Sequence, residues 1–348
     1  MTQRKGKAAR GSSGAWRAPW GWLAFVAAAA CLPLTGNSYL LGVGIYALLF
    51  SILAMGLNIM TGFCGLLDLG YVGFYGIGAY AAAVVMNTHE LSFWVALPLA
   101  AALGALWGTM LGAPTLRLTG DYFAIVTFGF SELVILITRN WTSVTKGARG
   151  FPDIHKPVLF GYEFVRFNPT AFYFLALALF SLTVFVMLRL ESSRLGRAWF
   201  AIREDEIAAE ACGINLRGYK TLGFAIAAAF GAMGGAFYAS FSGTLHWSAF
   251  TFSESVLILC MVVMGGLGSI PGVVLGSCLL VVMQEGLRPQ NLAAALAPLG
   301  VPASAIPGEL RWIVYGALLI LMMRWRPAGL WPQKNVAAEF AEEADTAQ

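Results

Sequence analysis

An all-α, polytopic integral membrane bundle of about ten transmembrane helices, interrupted by glycine-rich breaks, is the fold class this sequence predicts. Three observations predict it. The 71 residues from Ala18 to Thr88 carry one formal charge, Asp68, and at 1.5 Å per residue that run is long enough for about three helical crossings of a hydrocarbon core. The 348-residue chain is 58% hydrophobic and 11% charged, against about 25% charged for a soluble domain. Its 40 glycines and repeated small residues suit close helix contacts in lipid, and no succession of ten-residue alternating segments marks a closed barrel.

The elements follow in order. Residues 1–18 form a Gly/Ser-rich, disordered tail with Arg4, Lys5, Lys7, Arg10 and Arg17, which places the N-terminus in the cytoplasm by the positive-inside rule and reads as a topology signal, not a nucleic-acid arm. A transmembrane domain occupies 19–326, with spans at 21–36, 39–60, 66–87, 92–113, 121–138, 169–188, 221–241, 252–267, 271–287 and 310–323. The first span resembles a secretory signal but continues into further spans, so it is read as an uncleaved helix. Arg117 and Asp121, spaced i,i+4, pair at the membrane surface. The 189–220 loop carries six basic residues and falls inside; the 139–168 loop falls outside despite Arg139, Lys146, Arg149, Lys156 and Arg166, against the usual charge bias. Residues 327–348 form a cytoplasmic tail. The five cysteines are scattered without metal-ligand spacing and read as small buried packing residues.

Two breaks stand out, one in each half: Thr61-Gly62-Phe63-Cys64-Gly65-Leu66-Leu67-Asp68-Leu69-Gly70 and Gly265-Gly266-Leu267-Gly268-Ser269-Ile270-Pro271-Gly272. Glycine and proline free backbone polar groups, which inside a bilayer must be buried in protein or line a wet cavity. Matched breaks point to a substrate path; they also fit tight turns between spans. The candidate path residues are Gly62, Gly65, Asp68, Glu132, Gly266 and Gly268. A carboxylate in a membrane segment costs roughly 3 kcal/mol, so Asp68 either meets a cationic partner on a polar path or caps the next helix. Glu132 sits about 16 Å along a helix from Asp121, at a depth where it serves transport or a buried hydrogen bond. Glu254, near the start of its span, snorkels to the surface.

The 189–220 loop is the most organised polar segment. Strong helix formers fill 197–211, apolar residues recur at 198, 202 and 209, and Gly213 is a natural stop. Its balanced charge favours docking onto a protein over lying on lipid. Arg197, Arg203, Glu204, Asp205, Glu206, Ala208, Ala209 and Gly213 are its candidate contact residues.

At this point the chain resembles the inner-membrane permease subunits of bacterial ABC importers for branched-chain amino acids, and is most similar to the larger of that system's two permeases. The likeness runs over about 38–290. It rests on Leu57-Asn58-Ile59-Met60-Thr61-Gly62 through Gly76-Ile77-Gly78-Ala79-Tyr80, on Gly120-Asp121-Tyr122-Phe123-Ala124-Ile125-Val126-Thr127, and on Ser193-Arg194-Leu195-Gly196-Arg197. The stretches 201–210 and Met264-Gly265-Gly266-Leu267-Gly268-Ser269 complete it. The resemblance implies a second homologous permease, two cytoplasmic ATPases and a periplasmic binding protein as partners, in the inner membrane. It also implies that 197–213 is the segment that fits a groove on the ATPase. The importer motif there has Glu-Ala-Ala, three residues, then Gly; this chain has Ala208-Ala209 and Gly213, with Ile207 where the Glu would stand and Glu206 one place early. The family often has Ser where this chain has Asp68.

With no G-x-x-x-x-G-K-[ST] loop the chain supplies no phosphate cradle, so it is expected to be no enzyme, to bind no cofactor or metal, and to rely on ATP hydrolysed by its partners. The rival readings are a permease for urea or short amides, an ion-coupled carrier using Asp68 and Glu132, and an intramembrane serine protease using Ser131 of Gly129-Phe130-Ser131-Glu132 with His246 as base.

Overall fold

The computed structural model describes residues 19–115, 120–159, 162–164, 169–288, 310–326 and 328–331. The basic N-terminal tail, Arg117, Arg166 and the tail beyond residue 331 lie outside the described residues. The chain runs α1 (Pro19–Ala30), α2 (Ser38–Asn58, continued by a π turn at Ile59–Phe63), α3 (Tyr71–Thr88), α4 (Phe93–Thr115) and α5 (Asp121–Asn140). The one-turn α6 (Thr142–Thr145) and a two-residue strand pair, β1 (Val158–Leu159) and β2 (Tyr162–Glu163), belong to the loop that follows. Then come α7 (Thr170–Ser192), α8 (Arg194–Glu204), α9 (Glu206–Ala211), α10 (Leu216–Ser242), α11 (Phe252–Gly265), α12 (Ile270–Gly286) and α13 (Leu310–Trp325). Each of the ten expected spans is met by a helix. Among the described residues, six helical segments are long and apolar enough to cross a membrane, and three shorter apolar helices accompany them.

Helix α10 organises the bundle, packing most extensively on α4 and α3 and also on α2. Its composition explains why. Ala228 and Ala232 meet Gly108 and Gly104 of α4, a small-xxx-small seam on both helices that lets backbones approach where lipid offers no hydrophobic drive. On its other side Ala232 backs directly onto Gly78 of α3 and Gly235 onto the Tyr75 carbonyl. A side chain at Gly78 would run into the Ala232 backbone. Gly78→Leu is therefore expected to force α3 from α10 and to destabilise the fold by about 3 kcal/mol; loss of monodisperse protein on heating in detergent, relative to the parent, is the readout.

The loops sort to opposite ends. Phe151 and Leu245 exchange backbone hydrogen bonds of 2.9 Å, and Ile154 N–H donates to the Gly243 carbonyl. The 141–159 loop therefore sits at the C-terminal end of α10, while α8 and α9 sit at its N-terminal end. A 27-residue helix separates these ends by about 40 Å. One basic residue of the 139–168 loop has structural work: the Arg139 guanidinium, in the last turn of α5, lies 4.8 Å over the Trp247 ring, a position favoured both by the helix dipole and by the ring face.

Two expectations are corrected. The cysteines are not uniformly buried: Cys64 and Cys260 are, but Cys31 and Cys212 are exposed. The single helix expected at 197–211 is two. Asp205 takes an extended φ of −156° and its Oδ1 accepts from the N–H groups of Ile207 (2.8 Å) and Ala208 (3.0 Å); an aspartate gains more as an N-cap than inside a helix. The apolar positions are as expected, with Ala198, Ile202 and Ala209 buried. Gly213 ends the segment at φ +84°, with Ile214 N–H reaching back to the Ala209 carbonyl in a left-handed C-cap.

Candidate functional site

The two glycine-rich breaks, some two hundred residues apart, come together at the end of the bundle that carries α8 and α9. The hinge between them is Asn58, wholly buried at the end of α2. Its Oδ1 accepts from Gly268 N–H at 2.9 Å, satisfying a backbone donor that the second break frees. Gly62 must be glycine because a Cβ there would strike both the Asn58 amide and the Gly268 backbone. The second break is closed from the other side by 328–331: Leu330 and Trp331 N–H donate to the carbonyls of Met264 (2.8 Å) and Gly265 (3.0 Å). Gly266 and Gly268 are buried, Gly65 is exposed. Gly62 serves close backbone approach, while Gly65, Gly266 and Gly268 take positive φ of +73°, +117° and +81°, a conformation that favours glycine.

Helix α8 grips this junction. Arg203 Nη1 donates to the Gly62 carbonyl at 2.6 Å, and its aliphatic stem covers Gly65. Trp199, fully buried, lies near-parallel to Phe63 with ring centroids 6.4 Å apart, and its Nε1–H donates to the Tyr219 carbonyl of α10 at 2.8 Å. Phe200 packs edge-on against Phe63 at 5.0 Å. Behind α9, Lys220 is buried and its Nζ stands 2.6 Å from Glu206 Oε1. What remains outward is Arg197, Glu204, Asp205, Glu206, Ala208, Gly213 and, foremost, Ile207, which is 82% exposed. Ile207 is thus held out on a short capped helix, ringed by charge.

Asp68 is 1% exposed. Its Oδ1 accepts from Gly70 N–H at 2.8 Å, just ahead of α3, while Leu69 N–H donates to Thr127 Oγ1 at 3.2 Å. The carboxylate thus closes the turn at Gly70 and does not cap α3 as the capping alternative has it, because that helix's N-cap is Gly70, with no side-chain cap; its Oδ2 is buried without a hydrogen-bond partner. This end of α3 is further tied to α11 by Val72 N–H to Ser255 Oγ, 3.1 Å. The helix starts five residues later than the expected 66 because Asp68 and Gly70 hold the turn. Glu132 lies on the exposed side of α5, apart from the junction.

Ser131 and His246 are engaged separately. Ser131 Oγ donates to the Phe128 carbonyl at 2.8 Å, and the two imidazole nitrogens of His246 meet Ser248 Oγ at 2.7 Å and the Ala148 carbonyl at 3.1 Å. Ser131 and His246 do not pair. Glu254 does not project freely to the surface as expected; it is half-buried in the first turn of α11 and lines a cavity between the helices.

The residues the sequence left unremarked are Asn58, Trp199 and Thr127. Asn58 carried a signal, being a primary amide in an otherwise apolar run, where an unpartnered polar group is costly.

Comparison with known proteins adds the following. The family model described as "Branched-chain amino acid transport system / permease component" matches residues 39–323. The high-affinity branched-chain amino acid transport system permease protein LivM of Escherichia coli is 41% identical over 306 residues, covering 82% of this chain and 68% of that one. The probable LivM of Methanocaldococcus jannaschii is 27% identical over 289 residues (78% and 81%), and LivH of Salmonella typhimurium is 26% identical over 309 (82% and 92%). No solved structure matches.

Proposed function

The chain belongs to the family of permease components of branched-chain amino acid transport systems, and on that premise we propose that it forms one half of the passage through which an ABC importer carries branched-chain amino acids across the bacterial inner membrane. A second, homologous permease completes the passage, two cytoplasmic ATPases drive it, and a periplasmic binding protein delivers the amino acid.

One observation carries the mechanical reading: α8 holds the first break through Arg203 and Gly62, and the first break holds the second through Asn58 and Gly268. When ATP closes the partner ATPases, the α8–α9 segment docked on them moves. Its displacement reaches α2, α3, α11 and α12 together, because all four helices end at this junction. The bundle then opens toward one side and afterwards the other. Permeases for urea or short amides would share this mechanism; the matched family and relatives favour branched-chain amino acids.

The test is co-purification of the tagged chain from its native membrane in mild detergent, with mass spectrometry of what comes with it. Recovery of a second permease and two ATPases is expected; a chain that purifies alone and moves solute under an ion gradient without ATP would overturn the reading. Ile207→Asp, placing a charge on the exposed contact of α9, is expected to weaken ATPase retention about tenfold, as loss of a small apolar anchor worth about 1.4 kcal/mol would, while leaving the permease folded. ATPase titration onto immobilised permease measures it.

A further inference from the structure

In the half of the bundle away from α8 and α9, five helices line a cavity of about 220 Å³ that reaches inward as far as the first turns of α3 and α11. Its position follows from its lining. Tyr46 lies near the start of α2, Tyr238 in the last turns of α10, Glu254 in the first turn of α11, and Glu285 and Arg288 at the end of α12. Tyr75 of α3 forms the floor.

The chemistry of this lining is mixed in a specific way. Glu285 is committed: its Oε1 accepts from Tyr39 Oη at 2.7 Å and its Oε2 stands 3.0 Å from Arg288 Nε. That contact uses one of five guanidinium donors and leaves the fork able to receive a carboxylate. Glu254 has no hydrogen bond or ion pair with any described side chain; Arg311 of α13 acts on it only at longer range. Beside it stand Tyr75 and Tyr238, ring centroids 5.5 Å apart, backed by Phe250. A carboxylate flanked by aromatic faces is a seat for an ammonium group. Val43, Phe50 and Val281 supply an apolar wall. The volume is below the roughly 300–1,000 Å³ of drug-sized pockets and suits a solute of free amino-acid size. The helix dipole favours an anion in the first turn of α11, which explains why Glu254 is tolerated there but not why a guanidinium and an apolar wall share its cavity.

We propose that this cavity is a holding site for a free α-amino acid with an aliphatic side chain, its ammonium group against Glu254 and the tyrosine faces and its carboxylate on Arg288. The inference rests on the transport reading above and adds where, within this one chain, the solute pauses between release from the binding protein and passage inward.

The test uses the complete importer in proteoliposomes with loaded binding protein, reading uptake and ATP hydrolysis together. Glu254→Gln removes the charge and keeps the shape. Uptake per ATP is expected to fall at least tenfold, with complex assembly and ATP hydrolysis stimulated by the binding protein held within twofold. Unchanged uptake per ATP would overturn the site. Should Glu254→Gln fail to assemble, Ala249→Trp decides. It fills the cavity from the partly exposed turn at Trp247–Phe250; blocked uptake in an assembled complex supports the site, and full uptake overturns it. If the parent importer carries no branched-chain amino acid under these conditions, the transport reading fails first, and a different solute moved by the parent but not by Glu254→Gln would show the cavity holding that solute instead.

Discussion

Replacing Arg203 with alanine is expected to leave the ATPases bound and hydrolysing while uptake per ATP drops tenfold or more. The residue is not among the outward side chains of its segment, as Ile207 and its charged neighbours are; in the proposed mechanism its part is to pull. Its Nη1 is 2.6 Å from the Gly62 carbonyl, an acceptor exposed by the π turn that ends α2, and a hydrogen bond from a charged donor is worth about 1.5–3 kcal/mol. That is the size of a typical coupling free energy between sites. Without it α8 still packs through Trp199 and Phe63, so the segment folds and docks, but its motion no longer carries the first break with it. Paired assays of ATP hydrolysis and uptake in proteoliposomes separate this outcome from simple misassembly, in which both would fall. Arg203→Lys, a point charge on a flexible stem, is expected to recover part of the loss.

The fold was largely legible because a bilayer leaves few options. Ten apolar runs of helical length could be read directly from charge spacing, and each coincides with a helix. The glycine-rich breaks were legible as interruptions, and 197–213 as a folded amphipathic segment ended by Gly213. The family resemblance was legible from short motifs. The places where reading failed share one cause: they depend on partners far away in sequence. Periodicity shows which face of a helix is apolar, not which helix it meets. Nothing local says that Asn58 will find the Gly268 amide, or that Glu254 will share a cavity with Glu285 and Arg288 thirty residues on. Asp205 was a nearer miss. It was read as a charge within a helix, whereas its side chain satisfies two free N–H groups and splits the helix in two.

Asp68 shows how a residue can be located and still keep two roles open. Its Oδ1 closes the turn before α3 by accepting from Gly70 N–H, as a short acidic side chain does, yet its Oδ2 is buried without a hydrogen-bond partner. A purely structural turn has no need of a charged group at that depth; an asparagine would supply the same acceptor. The candidate path residues gathered from the sequence therefore divide. Gly62, Gly266 and Gly268 hold the junction shut, Asp68 stands beside it with one oxygen in reserve, and Glu132 faces outward.

The junction itself makes the second strong expectation. Asn58→Leu preserves volume but removes the acceptor for Gly268 N–H in a fully buried place. Leaving that donor unsatisfied costs about 1–3 kcal/mol, and the branched side chain must also fit against Gly62, where there is no slack, adding about 1 kcal/mol or more. The variant is expected to lose about 2–4 kcal/mol of stability, seen as a lower unfolding temperature in detergent, and most of its transport. If Arg203 and Asn58 act on one another through the π turn, the two substitutions are not independent. Uptake per ATP in the double variant is then expected to be close to that of the worse single variant, since a linkage already broken at Gly62 cannot be broken again at Gly268. Losses that multiply would mean that the two breaks move separately, each with its own connection to α8. That result would dismantle the single-junction mechanism while leaving the family and the fold untouched.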